Sequence, residues 1–344
     1  MQLHKVLIVG GVLCLSGLVG CDRLRSAETI VLRGEQQYQK GNYRAALGDF
    51  KTALEKDESN LAARSYLARI SYHLADFEAA QHELDIATAG GARDPDLLPL
   101  KYQILLARQQ YDEVLKAIDS ETNLTAVQRL RYAGQAKAAL GQANDALAAY
   151  DQALSMAPND TDTLVAQASL LASMSETARA SAMVDTVIKQ DQNHAMAWFI
   201  RGGLLTARGD LIEAKAALET AQKFGQQQLN WAEQARLLAT LADVGLRMRD
   251  PDATARWITA LDGRAPQSPV AFYLKARLAL LNNNTNDALA QLQKATQQGD
   301  YLPAGLLLAN VFMLQSSFGQ AEEQLNKLRN DHPDNAEVSK LLAQ

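Results

Sequence analysis

This sequence predicts an all-α fold, a solenoid of about nine helix–turn–helix units. Two ladders and the composition carry that expectation. The first ladder is Ala46, Ala80, Val114, Ala146, Ala180, Ala214, Thr254, Ala288 and Ala321, with gaps of 34, 34, 32, 34, 34, 40, 34 and 33 residues. The second runs five residues upstream, through Gly41, Ala75, Gln109, Gly141, Ser175, Gly209, Arg249, Asn283 and Ser316. A period near 34 marks paired helices that bury their apolar faces against the next pair. Hydrophobic residues make up 47% of the chain and aromatics only 6%. That bias toward Ala and Leu favours closely packed helices over sheets. Such a stack grows by addition and needs no single large core, so 344 residues do not imply several globular domains.

The units can be read in order. Residues 27–60 carry Gly34, Tyr38, Gly41, Tyr43, Ala46, Phe50 and Ala53, then a polar turn at Asp57-Glu58-Ser59-Asn60. Residues 61–94 repeat the pattern and end at Gly90-Gly91, which stops a helix. Residues 95–124 form a shortened unit with Tyr111, Val114 and Ile118. Residues 127–160 match closely through Gly134, Gly141, Ala146, Tyr150, Ala153 and Pro158. Residues 161–194 put Ser173-Met174-Ser175 at the turn, and 195–228 restore Trp198, Gly202, Leu205, Gly209 and Ala214. Residues 235–268 depart from the series, because Gln226-Gln227-Gln228 and Asn230 intervene and open the gap of 40. A break in regular stacking predicts a hinge at 225–234 and 247–252. Residues 269–301 and 302–335 recover the pattern, and 336–344 start a further helix, either a cap or the opening of another unit.

Small residues recur where two helices approach most closely, since a larger side chain would overpack there. This arrangement resembles the tetratricopeptide repeat. The resemblance implies a right-handed superhelix whose concave groove, lined by the first helix of each unit, holds partners.

The N-terminus reads as an address. Residues 1–20 combine Lys5 with an apolar run from Val6 to Gly17, which fits a signal peptide better than a membrane span. Leu18-Val19-Gly20-Cys21 resembles the bacterial lipobox, in which the Cys thiol is diacylated and the new N-terminus, once cut, is acylated. More than one acyl chain gives firm anchoring. Residues 21–26 then form a lipidated N-terminus with almost no tether, 27–228 a first solenoid segment, and 229–344 a second with its cap helix. The expected location is the bacterial envelope, facing the periplasm. Asp22 resembles an inner-membrane retention signal, with the outer membrane as the alternative.

Chemistry is scarce. The formal net charge is −5 without a basic run, which gives no support for nucleic-acid binding. The two cysteines, Cys14 and Cys21, both precede the repeats, so the body has no thiol nucleophile and no Cys-based zinc site. His73 and His82 sit on different helices without a companion ligand and are expected at the surface. No phosphate-cradling loop or Gly-x-Ser-x-Gly elbow occurs. The sequence therefore predicts no catalytic residue, metal or cofactor, and a chain that is not an enzyme.

Function falls to the groove. The groove-facing pattern selects Glu35, Tyr38, Gln39, Arg69, Tyr72, His73, Gln103, Arg131 and Gln135 in the early units. Aromatics beside Arg and Gln suit a peptide strand or a sugar chain, and Tyr38 and Tyr72 serve equally as packing residues of the motif. The later units supply Phe199, Tyr273, Arg277, Leu280, Leu306 and Met313, a more apolar set that suits a protein segment.

The order of variant units carries a finer resemblance. Gly41-Asn42-Tyr43-Arg44-Ala45-Ala46-Leu47, the short third unit with Tyr-Asp-Glu-Val-Leu at 111–115, Ser268 to Ala276 and Asp300 to Ala309 resemble the tetratricopeptide lipoproteins of PEP-CTERM/exosortase exopolysaccharide systems, the PrsT-like group. Members of that group are longer, so the array is expected to run on in relatives. The resemblance implies a scaffold that binds proteins in exopolysaccharide assembly or export, or in sorting of surface proteins. A lipoprotein scaffold for pilus, secretin or cell-wall machinery and a direct polysaccharide-binding export adaptor are the alternatives.

Overall fold

The structure, a computed structural model, describes residues 26–343. The signal peptide, Cys21 and Asp22 lie outside the described residues. Within them there are nineteen helices and no strand. The helices come in nine pairs: α1 (Ala27–Gln39) with α2 (Tyr43–Lys56), α3 (Leu61–His73) with α4 (Phe77–Ala89), α5 (Leu97–Ala107) with α6 (Tyr111–Ser120), α7 (Ala126–Ala139) with α8 (Ala143–Met156), α9 (Thr161–Ser173) with α10 (Thr177–Gln190), α11 (Ala195–Arg208) with α12 (Leu211–Gln228), α13 (Trp231–Arg247) with α14 (Pro251–Asp262), α15 (Pro269–Leu281) with α16 (Thr285–Gln298), and α17 (Leu302–Leu314) with α18 (Phe318–Asp331). A short α19 (Ala336–Leu342) follows. The expected solenoid of nine repeats is the observed architecture.

Both ladders have a structural meaning. Every residue of the downstream ladder is buried, from Ala46 to Ala321. Every residue of the upstream ladder has a left-handed backbone, from φ 56 at Arg249 to φ 89 at Gly209. Each turn closes through two backbone hydrogen bonds. In the fourth pair Gly141 N–H donates to Ala138 C=O (3.1 Å) and Gln142 N–H to Lys137 C=O (2.9 Å). Six of these nine turn residues are not glycine. Each of the six carries a left-handed cost of roughly 1–2 kcal/mol, offset by the turn's hydrogen bonds and by packing of the pair it closes.

Close approach within a pair explains the small residues. A Cβ added at Gly134 would come within 2.5 Å of the Tyr150 ring, and one at Gly34 within 2.9 Å of Phe50. Fully buried Tyr150 and Phe50 thus fill space that glycine leaves open.

The described residues form two compact units, one comprising 26–70 with 79–97, the other 71–78 with 98–343. In the first, Phe50 stacks on Tyr66 at 4.8 Å, and ion pairs join Arg33 to Asp49 (2.6 Å) and Arg64 to Glu83 (2.8 Å). In the second, a large apolar cluster runs from Leu218 through Leu229, Leu237 and Leu241 to Trp257, Ile258 and Leu274.

The forty-residue gap is not accommodated as the expected hinge. Its extra residues lengthen helices: α12 has 18 residues where the other second helices have 10–14, and α13 has 17 where the other first helices have 11–14. Only Leu229 and Asn230 separate them, and both are buried. Glutamine is a good helix former, so the Gln run continues α12. Gln228, at the end of that run, then finds fixed partners. Gln228 accepts from Ala195 N–H (2.8 Å) and donates to Asn193 C=O (2.9 Å). Buried Gln234 donates to Leu229 C=O (2.7 Å) and accepts from Arg264 Nε (2.7 Å). Asn230 and Glu233 form a reciprocal capping box at the start of α13. The 247–252 segment holds the same left-handed turn as every other pair.

Candidate functional site: the faces of the first helices

In the first unit the predicted groove residues are engaged with one another. Tyr38 meets Tyr43 (5.4 Å between centroids) and Tyr66 (5.3 Å), both edge to face. Burial pushes the Tyr38 phenol up from its ordinary value, with Arg69 working against it. Arg69 lies over the Tyr66 ring and is held by Asp94 (2.5 Å) and Asp96 (3.1 Å). Glu35 is half-buried and Gln39 exposed. Here the aromatics pack on one another and the arginine faces two carboxylates.

In the second unit the same residue types take three forms. Arg131 on α7 is a buried brace: it reaches Asp162 (2.9 Å) and Asp160 (3.2 Å) at the start of α9 and lies over the Tyr132 ring. Burial disfavours its charge, yet Asp162, Tyr132 and Asp160 together outweigh that and raise its pKa. Asp160 also caps α9 by accepting from Thr163 N–H (3.0 Å). Arg131 therefore fixes one repeat to the next.

Tyr72 and His73 form a second group. Tyr72 is half-buried beside Phe77 (5.7 Å). Burial pushes its phenol up to about 12, with the Asn230 side chain working against it. His73 was expected at the surface and is instead buried. Burial takes its imidazole down to about 4, against a hydrogen bond that the ring donates to the Gln226 backbone carbonyl. Gln103 is exposed, Gln135 is half-buried, and Phe199 packs on the cluster of α12–α15.

Tyr273 and Arg277 make the third. With Leu246, Leu280, Leu281 and Leu307 they line an open cleft of about 400 Å³ across α13, α15 and α17. Arg277 sits over the Tyr273 ring at 5.5 Å and pairs with Asp243 (2.5 Å). Tyr273 also meets Tyr301 edge to face (5.4 Å). Leu walls with one phenol and one guanidinium suit an apolar protein segment that carries a few polar groups.

The sequence pattern identified Tyr273, Arg277 and Leu280 but not Leu246, Leu281 or Leu307. It selected Leu306, which is buried with Ala309, Leu325, Leu328 and Val338, while its neighbour Leu307 faces the cleft. The reason is local. Apart from Asn310, α17 reads as an unbroken apolar run, LPAGLLLANVFML, so no polar side marks which face is turned outward. Among the described residues no cluster of three or more His, Cys, Asp or Glu could hold a metal ion, and no helix is long and apolar enough to cross a membrane.

Comparison with known proteins agrees with this geometry. Solved structures similar in fold include Cut9–Hcn1 of the APC/C (TM-score 0.66, 14% identity, 92% of this chain and 76% of that one). PilW, a type IV pilus biogenesis factor, is similar at TM-score 0.56 and 15% identity, over 64% of this chain and 99% of that one. PilF of Pseudomonas aeruginosa is similar at TM-score 0.51 and 20% identity, over 68% and 99%. At these identities the likeness is one of fold alone. A search of curated proteins found no match. The tetratricopeptide repeat profile matches residues 37–104, 137–200 and 279–344, more than half of the chain. With its paired helices and close-packed ladder, this chain belongs to the tetratricopeptide repeat family.

Proposed function

We propose that this protein is a non-enzymatic scaffold, anchored to the bacterial envelope through acylated Cys21 and facing the periplasm, that holds a segment of a partner protein in exopolysaccharide assembly or export or in PEP-CTERM protein sorting. The observation that carries protein-segment binding is the leucine-walled cleft of α13, α15 and α17, with Tyr273 and Arg277 at hand for hydrogen bonds. The envelope role rests on the lipobox and on the order of variant units. Direct binding of a polysaccharide has less support, because Tyr38, Phe50 and Tyr66 turn toward one another rather than offering open ring faces. Service to a pilus machine is the second reading, favoured by the fold likeness to PilW.

A photo-crosslinking residue at Leu280 in the full chain, in cells of the native host, tests the reading. The expected product is a protein of the exopolysaccharide or sorting machinery, lost on Tyr273→Ala and on Cys21→Ala. Capture of a pilus or secretin component supports the second reading. The absence of any protein adduct, with the chain folded, overturns the cleft as the site.

A further inference from the structure

The three helices that wall the leucine cleft carry few charges, and most of these are drawn away from it. α17 has none. Lys275 of α15 turns to Asp262 of α14 (2.7 Å). Arg247, next to cleft-lining Leu246, reaches back to donate to Thr206 C=O (3.0 Å). Glu233 and Arg236 stand near the start of α13, well before Leu246. One ion pair is left. Arg277 lines the cleft, and its Nη1 donates to Asp243 of α13 (2.5 Å), 34 residues upstream at the same position of the preceding repeat. Elsewhere on the first helices the arginine meets two carboxylates: Arg69 has Asp94 and Asp96, and Arg131 has Asp160 and Asp162. Here one cation meets one anion, and the cleft has no net charge.

This balance decides what can enter. A guanidinium has five N–H donors in a fixed plane. Asp243 takes one of them, and no other hydrogen bond of Arg277 is found among the described residues. The guanidinium is 27% exposed, so its remaining donors can serve an uncharged acceptor such as a backbone carbonyl. An acidic side chain would have to displace Asp243 or lie beside it, carboxylate against carboxylate. A basic one would meet the guanidinium. Leucine walls keep the local dielectric low and raise both penalties.

We propose that Asp243 is a specificity-determining residue of this cleft: by neutralising Arg277 it makes the cleft select an uncharged aliphatic segment of a partner protein and turn away acidic and basic ones. Asp243 is not among the lining side chains and acts through Arg277. The inference rests on the cleft as the site that holds a protein segment, and adds which segment it admits.

Selection of a random dodecapeptide library, displayed on phage, against the full chain tests the two levels separately. Leu280→Glu, which puts a charge on the cleft wall, marks the peptides that bind there. Peptides held by the parent but not by Leu280→Glu are expected to be rich in Leu, Ile and Val and depleted in Asp, Glu, Lys and Arg. Asp243→Asn keeps the shape and removes the anion. Among its peptides Asp and Glu are expected to rise about fivefold, an effect that fades at high salt. Asp243→Asn with Arg277→Gln is uncharged again and should restore the parent's preference, which a purely structural role for Asp243 would not do. If Asp243→Asn fails to fold, Arg277→Gln alone takes its place, and Lys and Arg rise instead. Acidic peptides selected by the parent, or a preference that neither single variant moves, overturn the charge filter and leave the cleft standing. A library that does not distinguish the parent from Leu280→Glu overturns the cleft itself, and the filter with it.

Discussion

Arg131 on α7 and Arg277 on α15 begin from the same description and end in different roles. Each is an arginine on a first helix, each lies over the ring of a tyrosine on the same helix, and each pairs with carboxylate from another first helix or its cap. Arg131 meets two carboxylates at the start of α9, and its side chain is 9% exposed. Arg277 meets one, is 27% exposed, and opens onto leucines. A cation on this face becomes a structural brace where the next helix begins with Asp-x-Asp, as at Asp160-Thr161-Asp162, and stays at a cleft where it does not. Residue type alone does not separate a ligand contact from an inter-repeat brace.

The sharpest way to break this comparison is Arg131→Ala. It leaves two carboxylates without their cation at the start of α9 and is expected to cost about 3 kcal/mol, seen as a lower urea midpoint. Arg131→Met, which keeps the packing stem, should recover part of that loss. Equal stability of Arg131→Ala and the parent would refute the brace.

His73 supplies the opposite extreme, a basic residue that the fold keeps neutral. Its folded pKa of about 4 lies below the unfolded value, so the contribution to stability is present above pH 6.5 and lost as pH falls toward 4. Arg264, also cationic, opposes protonation there. The expected loss is about 2 kcal/mol after allowance for solvent screening, and it should vanish in His73→Gln. An identical pH profile for the two proteins would contradict the assignment.

Arg277→Ala is expected to cost less than about 1 kcal/mol of stability, because the pair is partly solvated. Cross-linking of a partner at Leu280 should nevertheless fall several-fold. A large stability loss with unchanged cross-linking would make Arg277 a brace like Arg131. The smallest effect is at the turns. Arg249→Gly, at the end of a cleft-lining helix, is expected to stabilise by about 0.5–1 kcal/mol through relief of its φ of 56, and Gly141→Ala, at the end of α7, to destabilise by a similar amount. Thermal melts of the pair measure both.

Much of the fold was legible because it is written locally. A small residue at Gly134 and a bulky one at Tyr150 lie within one repeat, and a left-handed turn recurs at each rung, so periodicity exposes both. The arginines were not legible to the same degree. Whether Arg131 or Arg277 is free depends on carboxylates about thirty residues away, and the period does not say which of them face inward. The Gln226–Gln228 run misled for a related reason. Polar residues between repeats suggest a break until the partners of Gln228, Ala195 and Asn193, are known. In α17 the signal fails through excess, since nearly every position is apolar.

The hydrogen bond that Arg247 donates to Thr206 C=O joins residues 41 positions apart. The hairpin turns, by contrast, close over five residues or fewer. Local closures form quickly, and distant ones wait on the entropy of the intervening chain. A chain that emerges N-terminus first therefore completes its early hairpins long before Arg247 exists. The turn after α11 spends that interval with its Thr206 carbonyl uncovered, and order of synthesis alone gives the newborn protein a different exposed face from the finished one.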